Sequence, residues 1–109
     1  MIVTTTHKVE NHSIIEYLGL VAGECIMEEQ AAKQVLSGIA IEANDSYEAY
    51  KIKMTKCRLA IVEQMKAKAE KMGAGAIVAI NFNYVVLHDM LMIAAIGTAV
   101  SLSESVLSM

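Results

Sequence analysis

Between Asn44 and Gly73 the apolar residues Tyr47, Tyr50, Met54, Cys57, Ile61, Met65 and Met72 recur at spacings of three, four or sums of those. This is the α-helical period, and it draws one stripe along a helix of about seven turns, roughly residues 45–72. Asp45 and Glu48 have the spacing of a capping box, with Asn44 and Ser46 as alternative caps. Lys66, Lys68 and Lys71 crowd the last turns, where the helix dipole favours cations, and Gly73 supplies a residue able to end the helix in a left-handed conformation. Ile52, Leu59 and Val62 project on a second side, away from the main stripe. One sheet beneath one helix leaves that patch uncovered, so it is expected to be an interface with a neighbouring copy.

The other segments follow strand patterns. Ile2 to Thr6 is β-branched, and Glu10 to Ser13 carries turn residues. Ile14 to Met27 predicts a long strand with Ile15, Tyr17, Gly19, Val21, Gly23 and Cys25 on one face and a largely apolar second face. Gly19 and Gly23 remove side chains where the long helix packs closely or the strand bulges. Glu28 to Ile41 suits a first, shorter helix with acids at its start. Ala76 to Leu87 predicts a strand with Val78, Ile80, Phe82, Tyr84 and Val86 on one face and Asn81 and Asn83 in the middle of the other. His88 and Asp89 mark a turn, Met92 to Ser101 the last strand with Gly97 as a candidate bulge, and the Ser-rich tail frays. The order of elements over residues 1–109 implies a single α+β domain. In it an antiparallel sheet is covered by one long helix, with a shorter helix beside it.

Composition adds a requirement. The hydrophobic fraction is 55% and mean hydropathy is +0.44 in a chain of 109 residues. A domain this small has a poor surface-to-volume ratio and cannot shelter a large apolar excess alone. A membrane span needs about 20 consecutive apolar residues, and the longest candidate, Met90 to Val100, is too short. The start of the chain lacks the pattern of a signal peptide. Self-association is therefore expected, with no membrane involved. Net charge is −3, and seven of the nine Lys and Arg residues lie between Lys51 and Lys71. On a helical wheel these cations spread over several flanks, which favours a solvated face over a nucleic-acid site. Cys25 and Cys57 are far apart in sequence, without a CxxC pair, and are expected to be free thiols in a reducing cytoplasm.

Several motifs together carry a resemblance. Thr4-Thr5, the run from Tyr17 through Gly19, Val21 and Gly23 to Glu24, the Tyr47-containing helix start, Gly73 to Val78, and Gly97 to Val100 resemble the YbjQ-like family over essentially the whole chain. That resemblance implies a small α+β subunit similar to dodecin-like folds, assembled as a ring-shaped homopentamer, in a family of uncharacterised function that carries a heavy-metal-binding label. It supplies no catalytic residues. Glu42 to Asp45 stands where members have a Gly-rich link. Asn81 and Asn83 stand where members commonly have aspartates, which argues against a cation site built from that strand.

Candidate chemistry is sparse. His7 and His12 flank the first turn with Glu10 nearby, and with Cys25 they are the candidate metal ligands for a divalent or soft ion. No paired short-spacing ligand motif of the zinc type is present, and exposed turn histidines and buried cysteines are the simpler readings. Tyr17, Glu24, Asn81 and Asn83 are candidate ligand-binding residues in a pocket between copies, against the alternative that the amides satisfy backbone groups. No nucleophile elbow or phosphate-binding loop occurs. The expected function is a non-enzymatic oligomeric binding protein holding a metal or small ligand between subunits. The alternative is a small enzyme with an inter-subunit active site.

Overall fold

The computed structural model describes residues 1–27, 44–87 and 90–103. The expected shorter helix over 28–41, the turn at His88–Asp89 and the tail beyond Ser103 lie outside the described residues. The elements are β1 (Ile2–Val3), β2 (Ile14–Met27), α1 (Asn44–Lys71), β3 (Ala76–Leu87) and β4 (Met90–Leu102). They form a four-stranded sheet in the order β1-β3-β4-β2 with α1 packed on one face. Among the described residues no helix is long and apolar enough to cross a membrane.

The sheet is mixed rather than purely antiparallel as expected. β2 and β3 flank β4 antiparallel, but β1 runs parallel to β3, pairing Ile2 with Ala76 and Val3 with Ile77. The expected strand Ile2–Thr6 is also shorter than its β-branched run. The reason is a bulge in β3. Between Val78 and Asn81 two β3 residues oppose the single residue Gly97 of β4, and Ala79 takes a positive φ of 55°. The backbone of Thr4 and Thr6 follows this bend instead of continuing a regular ladder. Thr4 N–H donates to the Ile77 carbonyl (3.0 Å), and the N–H groups of Ala79 and Ile80 donate to the Thr6 and Thr4 carbonyls (2.9 and 3.2 Å). The bulge expected at Gly97 thus sits in the partner strand. Gly97 accommodates it, because a Cβ there would lie 2.8 Å from side-chain carbons of both Ile77 and Ile80.

The helix behaves as its period predicts. Cys57, Ile61, Met65 and Ala69 are buried and Met54 is half-buried against the sheet. Val21, Ile77, Ile80, Ile93, Ala95 and Ala99 lie opposite them. Its end is a Schellman motif: Ala74 N–H reaches back to the Ala69 carbonyl and Gly73 N–H to that of Glu70, both at 3.0 Å, with Gly73 at φ +81°. Met72, placed on the stripe by its spacing, falls beyond the helix and is exposed. The side chains of Tyr47, Tyr50 and Asp45 lie outside the described side chains, and so does the expected cap; Glu48 is exposed with its carboxylate 3.9 Å from Lys51 Nζ.

Strict alternation fails in both long strands at their irregularities. In β2, register shifts fall between Ile14 and Glu16 and between Tyr17 and Gly19. Val21, Gly23 and Cys25, expected on one face, turn to the helix together with Met27, whereas Ile15 and Tyr17, expected on the same face, are exposed. In β3 the bulge puts Ile77 and Ile80 together under the helix, while Val78 joins a small second cluster with Val9, Ala76 and Val100 on the other face. A bulge inserts an odd residue into a period of two, and no apolar pattern marks it in advance.

Candidate functional site

The second cluster covers only one end of the sheet face turned away from α1. The registers place three cross-strand rows on the rest of that face: Ala22–Ile96–Asn81, Glu24–Ala94–Asn83 and Ile26–Met92–Val85. Glu24 and Asn83 thus flank Ala94, two strand spacings or about 10 Å apart between backbones. The methyl of Ala94 leaves the space between them open. An open depression of about 350 Å³ includes Glu24, Asn83, Ala94 and Ile96, together with Gln64 and Lys68 from the helix. Asn81 lies in the neighbouring row. Of the four candidate ligand-binding residues, three therefore lie close together on this face.

Tyr17 is not with them. It is 70% exposed, pairs with Val100, and lies seven residues along β2 from Glu24, about 23 Å at 3.3 Å per residue. It lines a different groove, of about 930 Å³, with His7, Glu10 and His12. His12 is half-buried and its Nδ1 lies 2.9 Å from the Ser103 carbonyl. A carbonyl only accepts, so Nδ1 carries the proton and Nε2 is the acceptor of the neutral ring. The turn holding these residues is the expected one, with Asn11 at φ +68° and His12 N–H donating to the Val9 carbonyl. His7 and Glu10 share the groove but do not converge on His12: among the described residues no three His, Cys, Asp or Glu side chains cluster as a metal site.

The cysteines depart from expectation. Cys25 and Cys57 are joined by a disulfide with a Cα–Cα distance of 5.7 Å and are not free thiols. The helix stripe sets Cys57 on the buried side of α1, and Cys25 faces it from β2, a register between strand and helix that sequence spacing does not reveal. In this state Cys25 has no thiolate to offer a metal.

Gln64, which the helical period does not single out, and Lys68, expected only as a cation of the last turns, connect the helix to the edge strand. Gln64 Oε1 accepts from Glu24 N–H (3.1 Å) and its Nε2 donates to the Glu24 carbonyl (3.0 Å), completing both backbone bonds that an edge residue leaves open. Lys68 Nζ donates to the Ala22 carbonyl at 2.7 Å. The cations of α1 thus do not share one binding stripe. Lys68 serves the β2 edge, Lys66 sits beside Glu63, and Lys53 and Lys56 border the disulfide. Ile52 and Leu59 are exposed, at 55% and 60%, and Val62 is half-buried, so the second patch of the helix is open in the single chain.

Comparison with known proteins places this geometry in a family. Residues 1–103 match the model of a family described as "Putative heavy-metal-binding". A UPF0145 protein of Halalkalibacterium halodurans is 41% identical over 103 residues, covering 94% of this chain and 96% of that one. A UPF0145 protein of Anoxybacillus flavithermus is 38% identical over 105 residues, covering 95% and 100%. A crystal structure of a DUF74-family protein of unknown function from Pediococcus pentosaceus has the same fold. Its TM-score is 0.62 at 15% identity, over 94% of this chain and 98% of that one. The chain belongs to the YbjQ-like (UPF0145) family of uncharacterised proteins.

Proposed function

We propose that the protein is a non-enzymatic binding protein that works in the cytoplasm as a ring of copies of itself, a dodecin-like pentamer, and holds a divalent cation at sites closed by neighbouring subunits. Its partners are its own copies; nucleic acid and membrane play no part. The observation that carries this reading is the row Glu24–Ala94–Asn83 on the uncovered sheet face. Asn83 offers a neutral amide oxygen where an aspartate would add a charge, so Glu24 is the row's one anionic donor, and a hard divalent ion there needs further oxygen donors from a neighbouring copy to complete its coordination shell. Exposed Leu20, Ile26, Ile96 and Val85 surround that row. Apolar side chains in that number are what a second copy would cover, bringing its own polar groups to the same cleft. The family's description supports a metal as the ligand.

Equilibrium dialysis of the disulfide-bonded protein against Mn²⁺, followed by elemental analysis, tests the site. Wild type is expected to retain the ion, and Glu24→Gln, which removes the charge at constant shape, to weaken retention at least tenfold with its mass in solution unchanged. Equal retention by both proteins, or none by wild type, contradicts the assignment.

A further inference from the structure

We infer that Cys25 and Cys57 form a redox-gated site for one soft monovalent cation of the Cu(I) class, closed as the disulfide and opened by a thiol reductant. The inference stands on residues of one chain and does not depend on the cation site between copies.

The two sulfurs sit at the wall of an open cavity of about 340 Å³ between β2 and α1, lined also by Ile26, Met27, Lys53 and Lys56. Cys25 is half-buried on the edge strand, whereas Cys57 is only 4% exposed in the core. A small thiolate entering this cavity therefore reaches the sulfur of Cys25, with that of Cys57 as the leaving group. The first reductant thiol, R–SH, forms a mixed disulfide on Cys25 and leaves Cys57 as a thiol. A second R–SH displaces Cys25 and departs as R–S–S–R. Across the two steps the protein sulfurs gain two electrons and two protons.

Reduction leaves two thiols on facing backbones whose Cα atoms are 5.7 Å apart. Each backbone is held by its own element, β2 by its pairing with β4 and α1 by the buried stripe of Ile61, Met65 and Ala69. The pair therefore stays together without its covalent bond. A soft cation M⁺ replaces the two protons, giving an anionic bis-thiolate complex and releasing two H⁺. The ammonium groups of Lys53 and Lys56, on the same cavity, offset that complex's single negative charge. Met27, two residues beyond Cys25 on the same strand face, lines the cavity and provides a thioether as a third soft donor. Thiolate and thioether donors select Cu(I). Zinc in a closed site requires four ligands, and among the described residues no third His, Cys, Asp or Glu joins this pair.

The test is an anaerobic Cu(I) titration in competition with a chromophoric Cu(I) chelator, run on oxidised and reduced wild type and on the Cys25→Ser/Cys57→Ser variant. Reduced wild type is expected to take one Cu(I) per chain, at least a hundredfold more tightly than the other two, and to show no comparable retention of Zn²⁺. X-ray absorption on the loaded wild type keeps the proposal open to refutation even if the serine variant unfolds, and should show a first shell of two or three sulfurs. Four outcomes would overturn it. These are a shell of nitrogen or oxygen, one metal per two chains, equal binding by the oxidised protein, or two reactive thiols in air-purified protein.

Discussion

A methyl group added at Gly23 would place its carbon 2.9 Å from the carbonyl oxygen of Ile61 and 3.1 Å from the Ile61 side chain. The first is helix backbone, which cannot turn aside as a side-chain tip can. The helix must then lift from β2, loosening Ile61 and Met65, both fully buried. Gly23→Ala is expected to destabilise the fold by about 1–3 kcal/mol, the usual range for overpacking a tight contact. Gly75→Ala, whose added carbon meets only Leu102 at 3.6 Å, serves as the reference in urea denaturation. Equal midpoints for the two variants would show that the helix does not rest on Gly23. This close approach was legible in the sequence, because a glycine inside an apolar strand has few other uses. Gly19, four residues earlier, was less so: it takes φ +147° at a register shift and meets only the end of Met72 at 3.7 Å. The pairing of Cys25 with Cys57 was not legible at all, since it depends on how far along β2 the helix is set down.

The helix carries two apolar sides with different fates. The stripe of Cys57, Ile61, Met65 and Ala69 is consumed by the sheet, while Ile52 and Leu59 stay exposed. Leu59→Asp therefore removes no contact of the core, and at dilutions where both proteins are single chains its unfolding midpoint should stay within about 0.5 kcal/mol of wild type, as for surface changes generally. If the second side meets a neighbour, the same change buries a charge in an apolar contact and should dissociate the assembly in size-exclusion chromatography. An unchanged elution volume would remove this patch from the interface. Period alone separated these two sides. It failed where an element changes its own phase: at Ala79 in β3, and at the two register shifts in the first half of β2. Those irregularities set which strand residues share a face: the bulge in β3 brings Asn83 onto the face of Glu24, and the shifts in β2 bring Tyr17 onto it too, where only its distance along the strand keeps it apart. The role of Gln64 is hidden for a related reason. A polar residue on a helix gives no sign that its amide completes the backbone of an edge strand.

At the scale of the molecule, among the described residues one helix covers one face of the sheet and most of the other face is left open. Leu20, Ile26, Val85 and Ile96 on that second face join Ile15, Tyr17, Ile52 and Leu59 among the large exposed apolar side chains. Burial of each such side chain contributes about 1.5–3 kcal/mol before entropic costs, so copies that cover one another gain substantially. The apolar excess was visible in composition, and its place on the sheet became visible only with the strand registers. The most direct test is light scattering on purified protein diluted from high micromolar to nanomolar concentration, with thermal unfolding followed at each step. The account predicts a mass several times the 11.8 kDa of the chain, near five times in the pentameric case, and an unfolding temperature that falls as dilution separates the copies. A mass of one chain at every concentration, with cooperative unfolding at a constant temperature, would contradict it.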